Sequence, residues 1–534
     1  MITLGLSRSP SGRIALASLC SRILGFVRLS LLISAVGGTS SAVGGQVFEV
    51  ANSAPTYLYG LIAGGVLGAV LIPKIVHARM SGSEGVALLE RMLTVCLLGA
   101  AVVTVALTFA APLVVSLYAS RWSESWSGLA TQMAYWCLPQ VFFYVVFAVG
   151  AQLLNASEKY GPAAWAPGAA NLVSILGIAA FMVAYPEAAE KPVAEWTSGM
   201  VALLCGTATA SIAVQGLITV LFLRSTGYTF RLRLGFGGLA SVSRDASWVF
   251  GGVLAAEAAY IVVSNVATAA GESLNERGVD GASLNSYSSA LLLFLLPHGI
   301  VVASVATAMF TPLSTAVRDG DLSSAVGNLR RTEDVVLLLT SLSTVLYLGA
   351  APLLTDVLWG TPLIGEVLQI LAVGLIGFSL TYVLNRAMFA LGRARDSLVT
   401  QFVSSGCVAL AAGLGGSLLE PALVIPAIAA ATSVGSLASW GVAHRLVRRR
   451  LRTLTGGASG LLDHRSGRRR WAPFAALSGS GSLALLIDST VSSPGDLVAE
   501  VGLLTGTVLV IAGAYCLVHR LVGQIWPWAA LREH

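Results

Sequence analysis

Two arginines six residues apart, Arg22 and Arg28, sit near the middle of the apolar run RIALASLCSRILGFVRLSLLISAVGG, residues 13–38. A guanidinium stays charged at any relevant pH, and its fork of N–H donors matches carboxylate or phosphate oxygens. Near the centre of a membrane-length helix such a charge costs about 2.5–3.5 kcal/mol on insertion scales, so each needs compensation. The nearer end of the run is roughly 13 Å away or more, which makes snorkelling to the headgroups a poor escape. Six residues at about 100° each separate the side chains by some 120°, with Gly25 on the face between them. An anion placed over Gly25 would meet both guanidinium groups. Pairing with a carboxylate, or with carbonyls of a neighbouring helix, is the other reading.

Few other polar groups lie at comparable depth. Glu257 stands in AAEAAYIVVSN, with Asn265 two turns on. An intramembrane glutamate is a candidate for cation or proton coupling or for the counter-charge of an arginine, and a neutral, hydrogen-bonded structural carboxyl is the alternative. His298 follows Pro297 and could take a proton, although a satisfied core imidazole is the simpler reading. Arg386 lies near one end of its apolar run, where snorkelling is open to it. Glu49 and Asn52 open the second run, as gating or sugar-touching groups or as helix-end residues; Asn155 is a gating or structural candidate. No set of these forms a catalytic constellation or has metal-ligand spacing. The six cysteines, Cys20, Cys96, Cys137, Cys205, Cys407 and Cys516, fall inside apolar runs and read as small core residues rather than as a disulfide framework.

The elements that must position these residues are membrane helices. The 534 residues are 55% hydrophobic and 11% charged, with a mean hydropathy of +0.80, far from the composition of soluble domains. Apolar windows bounded by loop chemistry give about fourteen helices, centred near 25, 62, 102, 140, 174, 211, 256, 300, 343, 378, 408, 432, 482 and 508. The N-terminal run is too long and too interrupted by arginine for a cleavable signal, and is expected to be the first span.

With the N-terminus cytoplasmic, the loops on that side collect most of the Lys and Arg. Among these are Arg79, Lys159, Arg224, Arg318, Arg393 and the cluster Arg445–Arg470; the opposite loops hold Arg121, Lys191 and Arg277 among acids such as Glu187, Asp280 and Asp356. The bias predicts both termini inside. It also accounts for most of the net charge of +6. The basic stretch 444–470 is explained by orientation and attraction to anionic lipid rather than by nucleic acid.

An internal repeat organises the spans. Gly60, Gly64, Gly68 and Pro73 align with Gly299, Ala303, Thr307 and Pro312, and LLNASEK (153–159) echoes FALGRAR (389–395). The shift is an even number of spans, so both copies cross in one direction and are related by an axis along the membrane normal, with the cleft between them the natural substrate site. The expected architecture is an all-α polytopic membrane protein: an N-terminal lobe, 1–224 (spans 1–6), and a C-terminal lobe, 225–452 (spans 7–12). A basic Gly/Ser-rich linker, 453–471, leads to two added helices and a tail, 472–534.

Enzyme classes find little support. A glycosyltransferase using a lipid-linked donor needs acids in an early outer loop, and GGTSSAVGGQ (37–46) has none; nor is there a Walker A loop. Transport would have to draw on the membrane potential or on a monovalent cation gradient, with no cofactor.

Five blocks carry a resemblance: SRILGFVR (21–28), APTYLYGLIAGGVLGAVLIP (54–73), LLNASEKYGPAAWAPGAAN (153–171), LPHGIVVASVATAMFTPLS (296–314) and GFSLTYVLNRAMFALGRAR (377–395). In this order they resemble the MurJ/MviN family of the MOP flippase superfamily, with Leu-Pro-His-Gly and Gly64-Gly65 similar to actinobacterial branches. The resemblance implies a flippase of the plasma (inner) membrane that moves lipid II from the inner to the outer leaflet by alternating access. Lipid II is an undecaprenyl- or decaprenyl-diphosphate-linked glycopeptide. The resemblance further implies a cationic cavity in which Arg22 and Arg28 hold the diphosphate, a lipid-tail groove on the last two helices, and cell-wall synthesis proteins as partners. This chain departs from the pattern where many members carry two further cavity arginines, having Tyr59 or Gly60 in the second span and Leu292 in the eighth. Gln46 and Leu29 stand where acids are usual. The expected substrate-binding set is therefore Arg22, Gly25, Arg28, Glu49, Asn52 and Tyr59. A flippase for another lipid-linked glycan, a MATE-like antiporter and a non-transporting assembly scaffold are the rival readings; the arginines favour an anion over the cations of an antiporter.

Overall fold

The computed structural model describes residues 10–62, 82–225, 233, 244–454, 468–490 and 497–523. Every regular element among them is helical. Each of the fourteen expected centres falls in a helix or in a bent helix pair. Among the described residues ten stretches are long and apolar enough to cross a membrane, or twelve if each of two bent pairs counts as one span, and Ala475–Asp488 is a shorter apolar helix. The chain is a multi-pass membrane protein. Gly64, Gly68 and Pro73 of the repeat, and 455–467 of the basic linker, lie outside the described residues.

The chain groups into two compact units, Met1–Asp280 and Gly281–His534. The first contains α1 (Pro10–Val36), α2 (Val43–Ile62), α3 (Gly82–Phe109), α4 (Ala111–Tyr118), α5 (Glu124–Cys137), α6 (Gln140–Ala156), α7 (Tyr160–Ala184), α8 (Ser198–Arg224) and α9 (Arg244–Glu276). In lipid, helices associate by close packing and interhelical hydrogen bonds rather than by apolar burial alone. Here α1 packs on α7, α7 on α8, and α8 on α6. Gly177 meets the Thr207 side chain and Gly150 the Thr219 side chain, so a hydroxyl-bearing residue of α8 fits where a neighbour lacks a Cβ. Both threonines donate into their own helix, Thr207 to the Leu203 carbonyl at 2.7 Å and Thr219 to that of Gly216 at 2.7 Å, which satisfies their hydroxyls away from water. The third apolar run breaks at Ala110, where α3 and α4 meet at 77°. Pro112, at the start of α4, has no N–H to continue the ladder.

Within the first unit, α9 is the last helix. Polar contacts with 37–42 and 119–123, described below, hold it there.

The second unit contains α10 (Leu284–Pro297), a π-helical turn (His298–Val302), α11 (Ala303–Arg318), α12 (Leu322–Trp359), α13 (Leu363–Ala372), α14 (Leu375–Ala390), α15 (Ala394–Leu418), α16 (Pro421–Leu454), α17 (Arg468–Thr490) and α18 (Leu497–Gly523). The 38-residue α12 is its axis. Its N-cap, Asp321, accepts from the Ser324 N–H at 3.0 Å, and that bonding holds the carboxyl below the usual range. One face of α12 joins a core with Val302, Leu380, Leu384 and Val447. Another, through Leu338 and Val345, packs on Ala476, Ala484, Ile511 and Tyr515 of the two appended helices. The buried Tyr515 hydroxyl pins this contact at 2.6 Å from Ser341 Oγ and 3.1 Å from the Leu338 carbonyl. All six cysteines are free thiols, with Cys137 and Cys205 buried.

Candidate functional site

Helix α1 presents Ser21, Gly25 and Arg28 along one stripe, at i, i+4 and i+7. Across from it, Asn171 of α7 donates its amide to the Ser21 carbonyl at 2.9 Å. Its nitrogen would lie 3.4 Å from a Cβ at position 25. The space over Gly25 is therefore occupied by an interhelical amide. Arg22 is exposed and Arg28 half-buried. Among the described residues neither guanidinium forms an ion pair. Arg28 Nε is buried with no hydrogen-bond partner there, and the groups within electrostatic reach of Arg28 are Tyr144 and Glu49. A buried donor left open is costly in a folded chain and asks for an explanation. By contrast, the buried Glu90 of α3 is paired, at 2.8 Å from Arg233 Nε.

Helix α2 supplies the surroundings. Glu49 and Ser53, Asn52 and Thr56, and Thr56 and Tyr59 stand at helical spacings of four, four and three, so the five residues form a polar stripe on one face. Ser53 donates to Glu49 at 2.8 Å. Asn52 Oδ1 accepts from the Gln140 amide at 3.1 Å, and that nitrogen also reaches Thr209 at 3.2 Å. The Thr56 and Tyr144 hydroxyls are 3.3 Å apart, and the rings of Tyr59 and Tyr144 stack with centroids at 5.2 Å and planes at 25°. Thus Arg28, Glu49, Asn52 and Tyr59 gather around one helix face. Tyr144, Thr56 and Gln140 join them without having been picked out from the sequence. Tyrosine and glutamine inside an apolar run carry no local signal; only the helix partner reveals them.

On another side of α2, Tyr57 stacks on Tyr260 of α9 at 3.8 Å, and Tyr118 lies at 6.0 Å from the same ring. Glu257, one turn before Tyr260, has its Oε1 3.4 Å from where a Cβ on Gly60 would stand. Its Oε2 is buried without a hydrogen bond among the described residues.

Asn265 does not share that openness. Its amide donates to the Leu117 carbonyl at 2.6 Å and the Ile261 carbonyl at 2.8 Å, and its oxygen accepts from the Ser120 N–H at 2.7 Å. It fastens α9 to the end of α4. Further along the same face, the Thr268 carbonyl accepts from Trp122 at 3.1 Å. Glu272 accepts from Ser123 through both the N–H, at 3.1 Å, and the hydroxyl, at 2.5 Å. Asn275 donates to the Ser40 and Ser41 carbonyls at 3.0 Å each. The row Asn265, Thr268, Glu272, Asn275 is a polar stripe visible in the sequence at i, i+3, i+7 and i+10, and it stitches α9 to two loops of its unit.

Replacing Glu272 by alanine removes charge-assisted bonds from the N-cap of α5. It is expected to cost about 1.5–3 kcal/mol, with Glu272→Gln intermediate. Thermal unfolding of the purified protein measures this, and an unchanged Tm for Glu272→Ala would show that the stitch carries no weight.

The remaining candidates lie elsewhere. Asn155 closes α6: its carbonyl accepts from the Glu158 N–H at 3.0 Å, where Glu158 takes a left-handed φ of 58°. In the second unit, His298 begins the π turn after Pro297. It is buried, 3.1 Å from Ser379 Oγ and edge-on to Phe378 and Tyr382 at 4.8 and 5.0 Å. Arg386 bonds the Tyr382 hydroxyl at 2.7 Å and lies 5.8 Å from the Phe310 ring centroid, where aromatic faces stabilise a cation. Tyr382 therefore links His298 and Arg386.

Residues 37–479 match the family model described as lipid II flippase MurJ. A curated relative, the probable lipid II flippase MurJ of Rhizobium meliloti (strain 1021), is 24% identical over 444 residues, 78% of this chain and 76% of the relative. Among solved structures, lipid II flippase MurJ in an inward closed conformation superposes with a TM-score of 0.69 at 14% identity, covering 94% of this chain and 98% of that one. An inward-facing multidrug resistance MATE family transporter of the MOP superfamily superposes with a TM-score of 0.62 at 17% identity, covering 83% and 99%.

Proposed function

The chain belongs to the lipid II flippase MurJ family, a family of transporters rather than enzymes, and we propose that Arg28, assisted by Arg22, holds the diphosphate of lipid II while the headgroup crosses the membrane. The observation that carries this reading is the buried Nε of Arg28, which has no hydrogen-bond partner among the described residues, on a helix of membrane length. A buried guanidinium donor of this kind is suited to receive an anion, since a phosphate or carboxylate oxygen would meet it with a charge-assisted hydrogen bond. The polyprenyl-diphosphate-linked glycopeptide would move from the inner to the outer leaflet by alternating access, with both termini cytoplasmic. Arg445, Arg448 and Arg449 would sit against anionic lipid headgroups. Expression of this chain in bacteria depleted of their own lipid II flippase tests the reading: rescue from lysis is expected, and lysis despite normal membrane levels would sink it.

Glu257 is the proposed coupling group. An intramembrane carboxylate whose Oε2 has no hydrogen bond among the described residues, with Tyr118 within electrostatic reach, suits a monovalent cation or a proton. Glu257→Gln is expected to slow flipping severalfold and to make the remainder insensitive to collapse of the ion gradient. An ionophore series on the variant measures this, and an unchanged ionophore response would remove Glu257 from the coupling step.

A further inference from the structure

The diphosphate is only half of a lipid-linked glycan headgroup; the sugars need different chemistry. Pyranose rings present apolar C–H faces edged by hydroxyls, and they bind where a rigid aromatic face is bordered by a few hydrogen-bonding groups. Beside Arg28 the first unit holds such a combination. Tyr59 and Tyr144 stack nearly in parallel, at 25°, which leaves one face of each ring outside the pair. Tyr59 is half-exposed, and among the described residues no hydrogen bond engages its hydroxyl. Thr56, at 3.3 Å, fixes the Tyr144 hydroxyl, and Asn52, its Oδ1 held by the Gln140 amide, offers its own amide nitrogen one turn away on the same stripe of α2. Tyr144 itself lies within electrostatic reach of Arg28, so the platform and the cation are neighbours.

We propose that the Tyr59–Tyr144 stack is a sugar platform that receives a pyranose ring of the lipid-linked substrate while Arg28 holds its diphosphate. The proposal rests on the flippase reading and divides the headgroup between two kinds of contact. Affinity for the glycosylated lipid should accordingly depend on Tyr59, and affinity for the bare polyprenyl diphosphate should not.

The test uses the full chain in lipid nanodiscs, titrated separately with lipid II and with undecaprenyl diphosphate. Tyr59→Leu is expected to weaken lipid II binding by about two- to tenfold and to leave undecaprenyl diphosphate binding unchanged, whereas Tyr59→Phe, which keeps the ring, binds both as the parent does. Equal losses on the two ligands, or no loss on either, overturn the platform. Arg28→Ala separates this from the underlying reading, because it is expected to weaken both ligands. If Arg28→Ala binds both normally, the diphosphate site itself is wrong, whatever Tyr59 does.

Discussion

Arg28→Ala is expected to weaken binding of polyprenyl-diphosphate lipids by about 2–5 kcal/mol, the usual cost of truncating one partner of a buried charged contact, or roughly thirtyfold to several thousandfold. Arg28→Lys should fall between, since an ammonium keeps the charge but loses the planar fork. Arg22, which is exposed, should show a smaller loss of the same kind. Stability supplies the discriminating sign. If Arg28 were half of a structural ion pair, removing it would strand a buried partner and lower stability by about 3–5 kcal/mol. With its Nε unpartnered among the described residues, alanine should instead leave the Tm unchanged or raise it, because a desolvated charge is removed. Lost binding with retained or higher Tm is the expected pair of results. Retained binding with a lower Tm would make Arg28 structural.

The largest effect on folding is expected at Gly365. A Cβ there would stand 2.3 Å from the Ala351 carbonyl oxygen and 2.4 Å from Pro352 Cα, both backbone atoms of α12. The same crossing is fixed by the Gly365 N–H donating to Thr355 Oγ1 at 3.0 Å. Neither helix can yield by turning a side chain, so the helices must part. Overpacking of this kind costs about 1–3 kcal/mol for one methyl, and Gly365→Val should exceed Gly365→Ala. Gly406 in α15 is the contrast, with nothing within 4 Å of its Cβ position. Gly406→Ala should be neutral or stabilising by about 0.5–1 kcal/mol, as for a helix-interior glycine. Thermal unfolding of the variants, compared with the parent, checks both signs; an unaltered Tm for Gly365→Val would mean the crossing is looser than drawn.

Much of the fold is legible because membrane helices are written locally, as runs of apolar residues. What pairs with what is not. The run around residue 140 is a single apolar stretch, yet it forms α5 and α6 on either side of Leu138 and Pro139. Pro297 is visible, but the π turn that follows it, His298–Val302, is not marked in the local sequence. The echo of LLNASEK with FALGRAR marks two similar helix ends. Each has a left-handed residue, Glu158 or Gly392, and matching bonds, Lys159 N–H to the Leu154 carbonyl and Arg393 N–H to the Met388 carbonyl. Their structural register is two residues away from the sequence alignment, because the turn and not the residue identity is what repeats. Likewise α9 joins the first unit through Asn265, Glu272 and Asn275, whose partners in 37–42 and 117–123 are far away in sequence.

The site divides the same way. Arg22, Arg28 and Glu257 stand out because charge in an apolar run is costly wherever it points. Asn265 stands out as a polar amide in the same run, and its amide is engaged with the end of α4, the loop after it and its own helix. Gly25 was legible as a gap between two cations, but not as the seat of Asn171. Tyr144, Thr56 and Gln140 were not legible, since their role comes only from facing α2.

The central claim is that a first-span guanidinium carries a lipid diphosphate across the membrane. It is tested most directly by measuring lipid II in the outer leaflet of cells that depend on this chain for export, with the Arg22→Ala/Arg28→Ala double variant beside the parent at equal membrane levels. Lipid II should reach the outer leaflet with the parent and stay on the inner leaflet with the double variant. Normal export by the double variant would contradict the account.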